Sequence, residues 1–204
     1  MAYILGFWFA DGYMRKEKSY RILFFSKDRE ILERIRSKMN STHPLRLRKE
    51  DNVWQIAMHS RKLYEKLIKL GGLRCKSRII EFPYIPKNYI KDFIRGYFDG
   101  DGSVFFVKYI RTKDKRYTRE LRTNFTSGSK KFLEGLMDAL KHELNLKYKK
   151  LGIYNRGNSL KLGYGMKDSE TLLRYMYYKN FPIGLKRKAN FVSKIPIYQI
   201  HNTA

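Results

Sequence analysis

The sequence predicts an α+β chain of two pseudo-symmetric half-domains, each running helix, strand, strand, helix, strand, strand, helix. Three observations predict it. A nine-residue stretch occurs twice, as Ile4 to Gly12 (ILGFWFADG) and Ile94 to Gly102 (IRGYFDGDG). The copies are one small subdomain apart, with Asp11 and Asp101 separated by 90 positions in a chain of 204. After each copy the apolar period alternates in the same order, two for hairpins and 3.6 for helices.

Each copy reads as the last turns of a helix. Gly6 and Ala10, then Gly96 and Gly100, stand four apart on one helical face. A face with so little side chain lets the two helices lie backbone against backbone. Gly12 and Gly102 fall where a left-handed cap is expected, the conformation that costs glycine least. Asp11 and Asp101 then sit at helix C-termini, where a carboxylate loses about 0.3 to 1 kcal/mol to the helix dipole. Packed in parallel, the two also repel each other, so a cation is expected between them. Oxygen-only ligation of this kind suits Mg²⁺.

In the first half, Tyr13 to Ser26 reads as a hairpin, Asp28 to Met39 as an amphipathic helix on Ile31, Leu32, Ile35 and Met39, and Leu45 to Met58 as a second hairpin. Arg61 to Leu70 is a third helix, closed by Gly71 and Gly72. Pro83 and Pro86 exclude helix and stiffen a connection. The boundaries read are 1–82, a connection at 83–90, and 91–204. The second motif helix starts near Asn88 or Tyr89. A longer hairpin follows with a basic tip at Arg111 to Arg119, then a helix within Ser127 to Leu144. A hairpin pairing Tyr148 to Tyr154 with Leu160 to Tyr164 and an amphipathic helix at Lys167 to Tyr178 complete the repeat.

Lys and Arg total 44 against 19 Asp and Glu, a formal charge of +25 and a pI near 10.1. That excess, spread along the chain, points to a long polyanion, nucleic acid before a membrane surface. The apolar run at the first motif meets Asp11 after about ten residues, where a membrane span needs about 20. The single Cys75 excludes an internal disulfide and a cysteine-based zinc site. His43, His59, His142 and His201 have no metal-site spacing. An EF-hand at Asp99 fails on Val104 and Ile110. Basic strand residues make a candidate nucleic-acid surface: Arg15, Lys16, Lys18, Arg21, Arg46, Arg48 and Lys49 in the first half, and Lys108, Arg111, Lys113, Arg116, Arg119, Arg122, Lys149, Arg156 and Lys161 in the second. Each is expected to hold phosphates or read base edges.

The two stretches resemble the nine-residue motif of the LAGLIDADG homing endonucleases, and two copies in one chain are similar to the monomeric, pseudo-dimeric branch. The resemblance implies half-domains packed through their motif helices, with saddle-shaped antiparallel sheets as the DNA surface. It implies that Asp11 and Asp101, with the carbonyls of Ala10 and Gly100, bind two or three Mg²⁺ and the scissile phosphates. The implied reaction is a staggered double-strand cut in a long, non-palindromic DNA site. GLRCKS (Gly72 to Ser77) and GLKRKA (Gly184 to Ala189) recur after the third helix of each half. In the family a basic residue there supports each active site, so Lys76 and Lys188 are the catalytic candidates, with Arg74 and Lys186 as rivals.

The chain departs from the family pattern in three ways. Phe9 fills a place where the family often has Asp, and where the second copy has Asp99. Only Met1 to Tyr3 precede the first motif. Ser26 and Ser127 stand where a Gln often follows the first apolar strand. The resemblance implies a free-standing, intron-encoded enzyme in a prokaryotic cytoplasm or an organelle, acting as a monomer without a membrane. Two alternatives on the same fold stay open: a maturase that binds intron RNA, and a DNA-binding protein whose cleavage activity has decayed.

Overall fold

Helices α1 (Ala2–Asp11) and α4 (Lys87–Asp101) form the seam of the molecule, seen in a computed structural model that describes residues 1–16, 19–73, 78–110, 115, 117–154 and 159–195. They run in the same direction with their backbones touching. A Cβ at Gly6 would lie 2.0 Å from the Phe93 carbonyl oxygen, and one at Gly96 would lie 2.0 Å from that of Tyr3. Residue 10 meets residue 100 in the same way, a Cβ at Gly100 falling 2.4 Å from the Ala10 Cβ. Helix α1 is apolar all round because it is buried all round: Tyr3, Ile4, Phe7, Trp8 and Phe9 are in the core.

Both motif helices stop after their Asp, as expected, but not by a left-handed cap. Gly12 (φ −92°, ψ 157°) and Gly102 (φ −98°, ψ 162°) are extended and open the next strands directly. Glycine is needed there for room. A Cβ would come within 2.2 Å of the Trp8 ring at Gly12 and of the Phe98 ring at Gly102, since each ring folds back over its helix end.

The first sheet contains β1 (Gly12–Lys16), β2 (Tyr20–Ser26), β3 (Leu45–Arg48) and β4 (Val53–His59), ordered β1-β2-β4-β3. The second contains β5 (Gly102–Ile110), β6 (Tyr117–Ser127), β7 (Gly152–Tyr154) and β8 (Ser159–Tyr164), ordered β5-β6-β8-β7. All pairings are antiparallel and the register repeats: Gly12 faces Phe24 and Phe24 faces Ile56, as Gly102 faces Phe125 and Phe125 faces Leu162. The last hairpin is shorter than its sequence pattern, because Tyr148 to Leu151 stay outside the strand.

Helices α2 (Arg29–Lys38) and α3 (Arg61–Lys69) cover the first sheet, and α5 (Lys130–Leu144) and α6 (Met166–Met176) cover the second. Ser60 and Ser129 cap α3 and α5 by accepting from the Leu63 and Phe132 amides, worth about 1 kcal/mol each. Ser26 and Ser127 accept from the amides of Asp28 and Ser129, making the same turn in each half. Beyond α6 the repeat pattern did not foresee the short helix α7 (Lys186–Ala189) or the 3₁₀ turn at Val192–Lys194. Among the described residues no helix is long and apolar enough to cross a membrane.

Candidate active site

The seam brings Asp11 and Asp101 side by side at the point where both helices end. A Cβ at Gly100 would lie 3.1 Å from Asp11 Oδ2, so the first acid reaches across to the last turn of α4. Both acids are half-buried. Burial pushes the Tyr97 hydroxyl well above its ordinary range, and the negative charges of Asp101 and Asp11 push it the same way. Tyr97 donates to the Thr126 carbonyl at 2.7 Å, and the Thr126 hydroxyl donates to the Asp101 carbonyl at 2.7 Å. The end of α4 is thereby tied to β6.

Lys188 is buried, 3% exposed, and its ammonium donates to the carbonyls of Phe98 (2.5 Å), Asp99 (3.0 Å) and Gly102 (2.6 Å). Three N–H donors meet three oxygens at a helix C-terminus, where a cation is favoured. Beside it Asp99 accepts from Tyr3 Oη (2.8 Å), Tyr177 Oη (2.5 Å) and the Leu185 amide (2.8 Å). Burial raises the Asp99 carboxyl above its usual value, while the Lys188 charge pulls the other way. Arg95, also fully buried, donates to the carbonyls of Ile183 and Met176, both at 2.9 Å, and pairs with Asp92 at 2.7 Å. Arg95 and Asp99 occupy the motif places held by Leu5 and Phe9 in α1. Polar groups thus dock the segment after α6 onto α4.

Burial also pulls the Lys188 ammonium down to about 8 from the ordinary 10.5. Between those values the unfolded chain binds more protons than the folded one, so this group adds stability as pH rises through that window. Its burial penalty is fully present below it. Lys188→Met removes that rise from the pH dependence of urea unfolding over about pH 8 to 10.5. At neutral pH the same change costs about 1–3 kcal/mol, because desolvated carbonyls lose their donor.

A cavity of about 520 Å³ opens beside Asp11, and its cations come from both halves: Lys27, Arg48 and Arg187. Arg187 Nε donates to Asp28 at 3.3 Å, Lys186 pairs with Glu30 at 2.8 Å, and Arg34 donates to the carbonyls of Pro182 (3.1 Å) and Gly184 (3.3 Å). These contacts join α2 of the first half to residues 182–187 of the second. Lys27 and Arg187 were not among the sequence candidates. The signal for Arg187 was the recurring GLKRKA, in which it lies between the two lysines that were singled out.

The basic strand residues separate by register. Arg15, Arg21, Arg46 and Arg48 share the face of the first sheet that points away from its helices. Lys16 falls on the other face, over the Tyr20 ring, and Lys49 lies in the β3–β4 turn. In the second sheet Arg122 and Lys161 are on the open face. Lys108 and Arg119 pair on the helix side, beyond the core, with the Arg119 guanidinium 3.4 Å from the Phe106 ring centre. Lys149 precedes β7 and pairs with Asp168 at 2.9 Å. Lys186 is at the surface, away from the helix end. Lys76 and its rival Arg74, with Lys18, Arg111, Lys113, Arg116 and Arg156, lie outside the described residues.

No cluster of three or more His, Cys, Asp or Glu side chains suited to a metal occurs among the described residues. The oxygen donors at the seam are two carboxylates and the main-chain carbonyls of two converging helix ends. That set fits a hard divalent ion sharing its shell with water and phosphate.

Residues 88–176 match the sequence profile of the LAGLIDADG-like domain. The fold is that of the two-domain LAGLIDADG homing endonucleases. The I-LtrWI LAGLIDADG homing endonuclease, solved bound to target DNA, superimposes with a TM-score of 0.64 at 14% identity, over 93% of this chain and 86% of that one. The LAGLIDADG meganuclease I-AabMI, bound to uncleaved DNA, gives 0.65 at 14% identity, over 95% and 87%. I-SmaMI, bound to an uncleaved DNA target in the presence of calcium ions, gives 0.63 at 13% identity, over 93% and 87%. No curated protein sequence matches the chain.

Proposed function

From the two-domain LAGLIDADG fold and the acids at its seam, we propose that this chain is a homing endonuclease making Mg²⁺-dependent, staggered double-strand breaks in a long, non-palindromic DNA site. The observation that carries the reading is the convergence of Asp11 and Asp101 at two parallel helix ends, between two sheets with basic open faces. One chain supplies both acids, so it acts as a monomer.

Asp11 and Asp101, with the carbonyls of Ala10 and Gly100, would hold two or three Mg²⁺ against the scissile phosphates. Bound there, such ions activate water and stabilise both oxygens of an in-line displacement. The rest falls to the protein. The glycine seam sets the spacing of the two acids. Lys188 spends its donors on the end of α4, so it works by positioning Asp101; for the first half the same role is assigned to Lys76 from the recurrence of GLRCKS and GLKRKA in the sequence alone. Lys27, Arg48 and Arg187 supply positive charge to the phosphate beside Asp11. The open sheet faces align the duplex, and neutralising its phosphates makes binding strongly salt-dependent.

DNA spanning the uninterrupted host locus tests the reading. With Mg²⁺, staggered cutting is expected; with Ca²⁺, binding without cutting. Tight binding without any cutting would instead leave a DNA-binding protein, and preference for intron RNA over duplex would leave a maturase. Arg187→Ala provides a finer check. It should slow the nick made at the Asp11 site about tenfold, the scale of one charge-assisted contact, and leave the other strand's nick unchanged, as read on strand-labelled substrate.

A further inference from the structure

The two open sheet faces differ in chemistry. In the first sheet, the pairings that send Met14, Ile22, Phe24 and Ile56 to the core send four arginines, Arg15, Arg21, Arg46 and Arg48, to the opposite side with Gln55, among the apolar Tyr13, Leu23 and Phe25. Nε of Arg21 is shielded from water and has no hydrogen-bond partner among the described residues. Arg21 borders a hollow of about 130 Å³ with Arg46, Gln55 and two stacked histidines, His43 and His59. No carboxylate among the described residues lines that hollow. A donor desolvated by folding and left unpaired costs about 1–3 kcal/mol.

The second sheet is built otherwise. The parity that buries Leu121, Phe125 and Leu162 turns Phe105, Val107, Tyr109, Arg122, Asn124 and Lys161 outward. Arg122, the one arginine on this face among the described residues, donates to Glu120 at 3.1 Å, as Arg48 donates to Asp51 in the first sheet. Phe105, 38% exposed, puts carbon at the register position that Arg15 holds in the first sheet, and Tyr109, 41% exposed, extends that apolar strip.

Resting on the duplex-DNA reading above, we propose that the two half-sites have opposite base character, guanine-rich under the first sheet and A·T-rich under the second. The arginine fork matches the paired N7 and O6 acceptors of guanine. Phe105, Val107 and Tyr109 meet thymine methyl groups, and the Asn124 amide matches the adenine edge.

The test uses the whole chain and a library of random-sequence duplexes, with Ca²⁺ present and the retained DNA sequenced. The proposal expects asymmetric sites, guanines concentrated in one half and A·T pairs in the other. Arg21→Ala with Arg46→Ala should cut the guanine preference about tenfold in that half alone, the scale of one bidentate contact. Phe105→Ala with Tyr109→Ala should relax only the other half. Thermal melts of both variants check that the fold is retained. Equal base composition in the two halves would overturn the proposal, as would an arginine variant that weakens every sequence alike, since that marks phosphate contacts. If the library yields no retained duplex, the DNA reading itself falls and this proposal with it.

Discussion

Gly96→Ala should destabilise the protein by about 3 kcal/mol or more, at the upper end of what overpacking costs. An ordinary exposed helical Gly→Ala change gains about 1 kcal/mol from propensity, so the sign alone is diagnostic. The added methyl would sit 2.0 Å from the Tyr3 carbonyl oxygen, a main-chain atom held in its own helix. The only relief is to move α1 away from α4. Gly6→Ala forces the same separation against Phe93. Once one methyl has parted the helices the second meets less resistance, so the double variant should lose less than the sum of the singles. Urea unfolding of the three variants checks both points. A stabilised Gly96→Ala protein would mean that the backbones do not touch.

Asp101→Asn should slow cutting by about a thousandfold or more while leaving duplex binding in Ca²⁺ near that of the unchanged protein. Loss of a metal-binding carboxylate removes several kcal/mol of transition-state stabilisation, and each 1.36 kcal/mol is tenfold in rate. Asp11→Asn should do the same to the other strand. Supercoiled plasmid carrying the site separates the cases, since a loss confined to one strand leaves nicked circles and a shared loss leaves the plasmid closed. Undiminished cutting by either variant would remove that acid from the site. Folding is not expected to suffer, because an Asn at a helix C-terminus escapes the dipole penalty that Asp carries.

The parts of this architecture legible in the sequence were those set by local spacing. Small residues four apart announced the seam, and the recurrence of the whole pattern announced the second half. Contacts from outside the motif were harder to read. Gly12 and Gly102 looked like turn glycines, yet the constraint is the aromatic ring four residues earlier, folded over the helix end. Nothing local in the sequence marked Arg95 or Asp99 for burial, and their partners at Met176, Tyr177, Ile183 and Leu185 lie 78 to 88 positions away. Strand charges were equally ambiguous, because one residue of register moves a side chain to the opposite face. That is why Lys16, Lys108 and Arg119 separate from Arg15, Arg21 and Arg122. Arg187 escaped notice because its neighbour Asp28 belongs to the other half.

The seam also dictates a timetable for synthesis. Helix α1 is made early and finds its partner surface only when α4 emerges, with 75 residues intervening between Asp11 and Lys87. At about 5–20 residues per second the ribosome takes roughly 4–15 seconds to supply them. Throughout that interval a helix carrying Phe7, Trp8 and Phe9 has a bare glycine face and no mate. The nascent first half is therefore the stage at which this protein is most exposed to aggregation, and the stage at which a chaperone that shields aromatic helices would raise its yield.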